Sequence, residues 1–316
     1  MDYQGIYFCL IFHTPFSGTF PLHKTLKLAF GSILVACVVL GLKTLAYLAT
    51  GSVALFSDAI ESIVNIVTGC VAVVVLKISA VPADNNHPFG HTKAEYFAAV
   101  GEGVLIVVAA LLILRQAYAG AIDPTPLNLS VTGLALNAVA SVLNGLWSWV
   151  LIHKGREWRS PALVADGRHL FGDVITSVGV LAGVGLVLVT GWQILDALLA
   201  ASVAIFILWS GWKLIRDSVG GLMDEAVSPA TLELIQNIIA AQAEGAIEAH
   251  DVRTRYAGRR TFIEFHLIVP GDMKVSHAHE ICDRIEFALE REIAGSTVHI
   301  HVEPEHKAKP DDAIVF

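Results

Sequence analysis

The chain has 316 residues, of which 54% are hydrophobic and 16% are charged, and its formal net charge is −8 at pH 7. Soluble domains carry about 25% charged residues, so this composition excludes an ordinary soluble protein. The acidic balance also disfavours a nucleic-acid partner and is better suited to cations.

Residues 1–25 are interpreted as an N-terminal tail, because they lack the basic start and the small-residue cleavage site of a secretory signal peptide. The apolar runs that follow are long enough to cross a bilayer, which takes roughly 20 helical residues each. They predict a transmembrane domain over residues 26–221, with six helices at about 27–49, 53–78, 95–119, 127–153, 162–189 and 193–215.

Basic residues are concentrated in alternate loops between these helices. Lys77 and Lys93 follow the second predicted helix, and Lys154, Arg156 and Arg159 follow the fourth, whereas the turn at 49–51 carries no charge. Short loops rich in Lys and Arg face the cytoplasm. The pattern therefore predicts an integral membrane protein with both termini in the cytoplasm.

The second predicted helix contains polar residues where a lipid-facing helix would be apolar. In SDAIESIVN, Asp58, Glu61 and Asn65 are separated by three and then four residues. A helix advances about 100° per residue, so the three side chains lie within an arc of roughly 60°. A charged side chain at bilayer depth costs at least about 2.5–3.5 kcal/mol, which indicates a functional role.

The fifth predicted helix repeats this spacing in DGRHLFGD, with Asp166, His169 and Asp173. The two helices run in opposite directions, so their polar stripes can face each other, with Glu61 near Asp173 and Asn65 near His169. Four nitrogen and oxygen donors from two helices match a tetrahedral site for a divalent metal. Two alternatives stay open: polar stripes that only hydrogen-bond neighbouring helices, and a water-filled pore for another solute.

The loop PADNNHPFGHTKAE brings three further donors close together in the sequence. Asp84, His87 and His91 lie within eight residues, and Pro and Gly keep the chain compact there. The three donors can converge on a metal ion. The alternative is a polar loop with two incidental histidines.

Residues 222–307 alternate like a soluble α+β domain, and residues 308–316 are interpreted as a C-terminal tail. The pattern predicts helix 229–243, strands 247–256 and 261–269, helix 275–293 and strand 297–303, in the order α-β-β-α-β. In the last two strands, apolar residues alternate with His and carboxylate residues that gather on the open face of the sheet. A solvated polar face would explain any one of these histidines.

Together these stretches resemble the cation diffusion facilitator family of six-span divalent-cation/proton antiporters, in particular bacterial ferrous-iron and zinc exporters. The likeness covers about residues 26–304 and is carried by SDAIESIVN, PADNNHPFGHTKAEYF, ADGRHLFGD, LMDEA, AHDVRTRYAG and FIEFHLIV. It implies six transmembrane helices, a cytoplasmic C-terminal domain of ferredoxin-like or metallochaperone-like type, and a homodimer in the lipid bilayer.

The resemblance also implies three groups of metal ligands and one structural ion pair. The transport site is implied at Glu61, Asn65, His169 and Asp173, with Asp58 and Asp166 as candidate accessory residues. The loop site is implied at Asp84, His87 and His91. A regulatory site between two tails of the dimer is implied at His250, His266, His279, His301 and Glu303. The ion pair is implied between Lys93 and Asp224, which would hold the helices and the C-terminal domain in register.

Two positions depart from the family pattern. Zinc exporters of the family usually carry Asp or His and then Asp in the second helix, where this chain has Glu61 and Asn65. Glu303 stands where the relative has Asp. The amide removes one formal negative charge from the implied cage, so Mn²⁺, Fe²⁺ and Co²⁺ join Zn²⁺ and Cd²⁺ as candidate ions.

The expected function is export of a divalent metal from the cytoplasm in exchange for protons by alternating access, with the metal as substrate and as regulator. The alternative is a non-transporting membrane metal sensor or scaffold of the same fold. An enzyme is not expected, because the sequence contains no H-E-x-x-H motif and no nucleophile near the predicted cage. The short loop between the fourth and fifth helices lacks a His-rich insert, which favours a bacterial inner membrane.

Overall fold

The fold is given by a computed structural model that describes residues 22–50, 53–122, 131–192, 194–309 and 313–316. Within the helices, some side chains are not described, at residues 22, 46, 49–50, 53–61, 64, 131, 134, 180–181, 183–185, 187–188 and 196. The predicted N-terminal tail therefore lies almost wholly outside the described residues.

Six long helices follow one another in the first two thirds of the chain. They are α1 (Leu22–Thr50), α2 (Val53–Ser79), α3 (Ala94–Ile122), α4 (Val131–Glu157), α5 (Pro161–Thr190) and α6 (Ile194–Leu222). Within the described residues, four of them contain segments long and apolar enough to cross a membrane, at His23–Leu45, Ala94–Ile122, Ala135–Glu157 and Ala197–Leu222. The prediction of a membrane-helical domain is confirmed, whereas the number of six spans is not established by these four segments.

Local sequence signals explain where α5 begins and ends. Pro161 is its first residue, where the missing N–H costs nothing because no intrahelical partner exists there. Gly191 directly follows the last residue, Thr190, and has φ +75°, the left-handed conformation that commonly ends helices. These signals fix the helix that carries half of the predicted transport site.

The helices pack as neighbouring pairs, in which α1 lies against α2, α3 against α6 and α4 against α5, while α2 also touches α5. Glycines allow the close approach of α3 and α6. A Cβ at Gly211 would lie 2.9 Å from Ile106 Cγ2, and one at Gly103 would lie 2.7 Å from Ile215 Cγ1. Small residues at such crossings let helix backbones approach where lipid supplies no hydrophobic driving force.

The C-terminal domain has the predicted α-β-β-α-β order with one short strand added. It consists of α7 (Pro229–Gln242), β1 (Glu248–Ala257), β2 (Arg260–Val269), α8 (Val275–Glu292), β3 (Ser296–Pro304) and β4 (Ile314–Val315). The sheet order is β3-β2-β1-β4, with β2 and β3 parallel and the other neighbours antiparallel. The prediction of an α+β C-terminal domain is confirmed, and β4 was missed because two residues carry no periodicity.

The two helices of this domain cover one face of the sheet. Ile263, Phe265 and Leu267 of β2 are buried against α7 and α8, as their alternation predicts. Their neighbours on the opposite face include His266, which is only partly buried. The core therefore leaves one sheet face free of helices. This open face carries the histidines, although His250 is itself only 1% exposed.

We predict that Gly211→Leu lowers the stability of the helical bundle by about 1–3 kcal/mol, because the new side chain must enter the α3–α6 contact. Thermal unfolding of the purified chain in detergent measures the change. Gly101→Leu on α3 is the matched control, since a Cβ there meets nothing within 4 Å. Equal melting temperatures for the two variants would contradict the close packing of α3 and α6.

Candidate metal centres

A buried polar group lies between α2 and α5 inside the helical bundle. It consists of Asn65, His169 and Asp173, which are 4%, 7% and 8% exposed. The amide Nδ2 of Asn65 lies 2.6 Å from Asp173 Oδ2, and its Oδ1 lies 2.8 Å from His169 Nε2. The antiparallel pairing of the two stripes thus places Asn65 beside both α5 residues.

The direction of each hydrogen bond in this group follows from the donors that are available. An ionised carboxylate only accepts, so the Asn65 NH₂ faces Asp173 and donates to it. The Asn65 carbonyl oxygen is then left facing His169, and it accepts a hydrogen bond from Nε2–H. In this arrangement His169 carries a proton on Nε2, the atom that faces Asn65.

The remaining predicted residues of the stripes are placed differently. Asp166 is 2% exposed and accepts a 2.5 Å hydrogen bond from Ser32 Oγ on α1. Ser32 Oγ in turn accepts from Trp147 Nε1 on α4, at 2.8 Å. Asp166 is therefore held by α1. The side chains of Asp58 and Glu61 lie outside the described residues, so their roles stay predictions.

The loop between α2 and α3 brings its three predicted donors together. Asp84 Oδ1 accepts from the backbone N–H of His87 at 2.7 Å, and Asp84 Oδ2 lies 3.6 Å from His91 Nε2. One ligand atom from each of the three residues lies within 4.8 Å of the other two. The His87 N–H, helped by the N–H of Asn86, lowers the pKa of Asp84. This exposed loop therefore presents an ionised carboxylate between two imidazoles.

On the open face of the sheet, four of the five predicted tail residues form one cluster. The His266 ring is centred 5.2 Å from that of His250 and 5.0 Å from that of His301. Glu303 Oε2 lies 3.6 Å from His250 Nε2 and 3.3 Å from His266 Nδ1. Because β2 and β3 pair in parallel with His266 opposite His301, the register itself brings these donors together.

His279, the fifth predicted tail residue, stands apart from this cluster. It lies on α8 with a side chain that is 73% exposed, and its Nε2 is 3.7 Å from Asp283 Oδ1. Within the described residues of one chain, no hydrogen bond or ion pair joins it to the cluster. Its role as a ligand between two tails stays a prediction.

Two acidic residues beside the tail cluster were missed by sequence reasoning. Asp251 has φ +51° at a bulge of β1, where the register shifts between His250 and Arg253, and its Oδ2 lies 4.0 Å from His266 Nδ1. Glu248 Oε1 lies 3.0 Å from His250 Nδ1 and orients that ring. Glu248 could have been found from its period-two spacing with His250. The bulge that presents Asp251 has no sequence signal.

Ion pairs attach the C-terminal domain to the end of the bundle. Asp224 Oδ1 lies 2.8 Å from Lys93 Nζ and 2.9 Å from Arg255 Nη1. Arg259, in the β1–β2 turn, donates at 2.9 Å to the backbone carbonyl of Ser79, the last residue of α2. The domain therefore contacts the ends of α2, α3 and α6 directly.

A third contact at this junction passes through a buried carboxylate, Glu95. Its side chain is 2% exposed, and it accepts a 2.9 Å hydrogen bond from Ser79 Oγ and another from Ser160 Oγ. Arg259 Nη1 lies 3.8 Å from Glu95 Oε1. A buried carboxylate needs such partners, so Glu95 connects the α2 end, the α5 start and the C-terminal domain.

Comparison with known proteins gives two family matches that together cover most of the chain. Residues 29–223 match the cation efflux transmembrane domain, and residues 227–305 match the cytoplasmic domain of cation efflux proteins. An uncharacterized transporter of Synechocystis sp., sll1263, is 44% identical over 273 residues, which cover 86% of this chain and 88% of the relative. The cation-efflux pump FieF of Salmonella paratyphi A is 33% identical over 282 residues, covering 88% and 92%.

Similar solved structures cover about a quarter of the chain. A chain of CzrB in its zinc form is 45% identical, with a TM-score of 0.26, and the match covers 27% of this chain and 98% of that one. The metal-bound C-terminal domain of the CzcD transporter from Thermotoga maritima is 30% identical, with a TM-score of 0.23, and the match covers 26% and 100%.

We predict that Asp224→Asn loosens the C-terminal domain on the bundle by less than about 1 kcal/mol, because Asp224 is 45% exposed and solvent screens its ion pairs. Hydrogen exchange of residues 222–228 measures the effect. The hydrogen bond from Lys93 lowers the pKa of Asp224, so this stabilisation is present at neutral pH and is lost only as the pH falls below the usual aspartate range of about 3.9.

The difference in exchange between the Asp224→Asn variant and wild type should therefore be the same at pH 7 and at pH 5. Asp272→Asn in the exposed β2–α8 turn is the control, since it removes the same charge from the C-terminal domain away from the junction. If the Asp224→Asn variant exchanged its amide hydrogens at the wild-type rate, these ion pairs would not hold the domain on the bundle.

Proposed function

Since the chain belongs to the cation efflux family, the cation diffusion facilitators, we propose that it exports divalent metal ions from the cytoplasm in exchange for protons. Family membership itself supports cation efflux by an integral membrane protein that is not an enzyme. We also propose that the chain spans a bacterial inner membrane six times, has both termini in the cytoplasm, and works by alternating access.

One observation supports the proposed transport site above all others. Asn65, His169 and Asp173 meet inside the bundle, where the Asn65 amide contacts both α5 residues. Both ends of the Asn65 amide are bonded to α5, and its two partners, an imidazole and a carboxylate, are groups that can also bind a metal ion. Glu61 is the proposed fourth ligand, one helical turn before Asn65 on α2.

The donor chemistry limits the proposed substrate to a group of ions. Imidazole nitrogen with carboxylate and amide oxygens suits Zn²⁺, Mn²⁺, Fe²⁺, Co²⁺ and Cd²⁺, and no thiolate lies among the three donors. Asn65 contributes a neutral oxygen where an aspartate would add a negative charge. This neutral ligand favours ions that bind oxygen well, so Mn²⁺ and Fe²⁺ are proposed beside Zn²⁺.

Proton exchange is proposed to occur at His169. In the proposed exchange both ring nitrogens of His169 are protonated before the ion enters. A metal-bound nitrogen must be unprotonated, so the Nε2 proton that faces Asn65 leaves to the cytoplasm as the ion binds, and Nδ1 keeps its proton. After the bundle opens outward, a returning proton re-forms this hydrogen bond and weakens the site for the metal. The same three residues thus have one arrangement for the proton and another for the ion.

The energetics explain why exchange is needed. Moving a +2 ion outward against about 150 mV, negative inside, costs roughly 7 kcal/mol at about 2.3 kcal/mol per charge per 100 mV. Each proton that returns offsets half of this electrical cost. Antiport therefore drives export without ATP, and the sequence carries no P-loop.

The tail cluster is proposed to regulate transport in a homodimer. His250, His266, His301 and Glu303 form a nearly complete set of donors on each chain, and exposed His279 is proposed to reach the cluster of a second chain. Metal bound there would bridge two tails when cytoplasmic metal is high. Because Arg259 and Asp224 attach the domain to the bundle, a change at the tail would reach α2 and α3.

We predict that His169→Ala abolishes the coupling of metal flux to a pH gradient and lowers metal affinity at least about tenfold. Proteoliposomes containing a metal-sensitive dye measure the flux with and without the gradient. His153→Ala is the matched control, because it removes an imidazole from α4 that stacks on Trp149 outside the polar group. Normal pH coupling in the His169 variant would exclude this residue as the proton carrier.

The alternative of a non-transporting sensor is favoured by one feature: the Asn65 amide ties His169 and Asp173 together. Asn65→Asp separates the two functions, since it restores the carboxylate typical of family zinc exporters. For a transporter we expect flux in wild type, and a preference of the variant for Zn²⁺ over Mn²⁺ that rises about tenfold. No flux in wild type together with zinc flux in the variant would establish the sensor.

A further inference from the structure

A cavity of about 350 Å³ lies at the junction of the bundle and the C-terminal domain. The α4–α5 turn, α5, α6 and the β1–β2 turn all contribute to its wall. Its charged lining residues are Arg156, Arg159, Arg168 and Asp217. Three arginines less one aspartate leave a formal charge of +2 in a chain whose net charge is −8. The cavity is therefore a basic site on an acidic protein.

Arg168 is the most enclosed of the three arginines. Its side chain is 17% exposed, and it lies seven residues into α5, about 10 Å along the helix axis from Pro161. Among the described residues, its charged partner is Asp217, at 3.8 Å from Nη1. Asp217 is itself 51% exposed. One long contact to an exposed carboxylate leaves most of the five guanidinium N–H donors available to a ligand.

The α4–α5 turn carries Arg159, follows Arg156 at the end of α4, and is held rigidly. Ser160 N donates to Gly155 O at 2.8 Å, and Arg159 N donates to Arg156 O at 3.2 Å. Arg159 has φ +49°, a conformation that a non-glycine residue adopts only where its surroundings hold it. Its guanidinium donates to Thr261 Oγ1 at 3.0 Å and lies 5.5 Å from the Tyr256 ring. The site is thus preformed between the turn and the C-terminal domain.

The cavity has room for a small ligand and an apolar part to its wall. Gly155 lines it without a side chain, and a Cβ there would lie 2.9 Å from Val164 Cγ2, so no larger residue fits. Val164 and Leu214 supply apolar lining from α5 and α6. A volume of about 350 Å³ is within the usual range for small-ligand sites. The cavity therefore offers guanidinium groups on one part of its wall and aliphatic groups on another.

The geometry points to a binding site for a phosphate-bearing anion, and we propose that the ligand is the headgroup of an anionic phospholipid from the leaflet on the side of the C-terminal domain. One planar guanidinium group can bind two phosphate oxygens at once, so several arginines around one cavity suit a phosphodiester. Anionic lipids enrich the cytoplasmic leaflet, and basic pockets between transmembrane helices bind their headgroups. The aliphatic lining from Val164 and Leu214 suits the glycerol part of such a lipid.

A lipid bound here would contact the bundle and the C-terminal domain together. It would touch the end of α4 through Arg156, the α4–α5 turn through Arg159, α5 through Arg168 and the C-terminal domain through Tyr256. His169 of the proposed transport site directly follows Arg168. The bound headgroup is thus expected to stabilise the docked position of the C-terminal domain.

The test uses the full chain reconstituted in phosphatidylcholine, with or without phosphatidylglycerol, and compares wild type with Arg156→Gln and Arg168→Gln. Native mass spectrometry measures lipid retention, and thermal unfolding measures stability. Loss of one charge-assisted contact should lower the affinity for phosphatidylglycerol about tenfold in each variant. Arg216→Gln is the matched control, because exposed Arg216 neighbours Asp217 on α6 but does not line the cavity; it should retain the lipid like wild type.

A separate arm adds inorganic phosphate to protein in phosphatidylcholine alone. Stabilisation by phosphatidylglycerol and not by free phosphate, lost in Arg156→Gln, supports the lipid site. Stabilisation by free phosphate but not by the lipid would overturn the lipid assignment. Equal lipid retention by Arg156→Gln and Arg216→Gln would overturn the site itself. Arg156 is exposed on the turn, so its substitution keeps the test valid if the Arg168 variant fails to fold.

Discussion

The bridge formed by the Asn65 amide between His169 and Asp173 is the interaction on which the membrane domain depends. A buried polar group in an apolar bundle is costly unless it is hydrogen-bonded, so three such groups on two helices can be buried only together. This requirement fixes the rotation and register of α2 against α5. The glycine contacts between α3 and α6 then pack the remaining helices around a site that is already defined.

Hydrogen bonds between buried polar groups also connect the helical bundle to the C-terminal domain. The α2 helix carries Asn65 and ends at Ser79, whose carbonyl accepts from Arg259 and whose hydroxyl donates to Glu95. Ser160, at the start of α5, donates to the same carboxylate. Both helices of the proposed transport site are therefore anchored at their ends to one buried carboxylate and one arginine of the domain. This arrangement connects the C-terminal domain to both helices of the proposed transport site.

Much of this arrangement follows from sequence, because its signals are local and periodic. The repeated spacing of three and four residues predicted that Asn65 meets α5, and period-two alternation predicted the strands and the face on which His266 and His301 lie. What sequence could not supply are features set by tertiary contacts. These features join residues that share no sequence pattern. They are the bulge that presents Asp251, the hydrogen bond from Ser32 to Asp166, and the contact of Arg259 with Ser79. His279 is a case where a resemblance implies a ligand that one chain alone does not bring to the cluster.

The central claim is that a metal ion replaces the Asn65 bridge between α2 and α5. X-ray absorption at the zinc edge tests it most directly, on the full chain with the loop and tail donors Asp84, His87, His91, His250, His266 and His301 replaced by alanine. The account predicts that this protein retains zinc with a single imidazole nitrogen at about 2.0–2.1 Å and oxygen ligands at about 2.0–2.2 Å. It also predicts that adding Asn65→Ala changes the oxygen shell. A protein that binds no zinc, or a spectrum unchanged without Asn65, would contradict it.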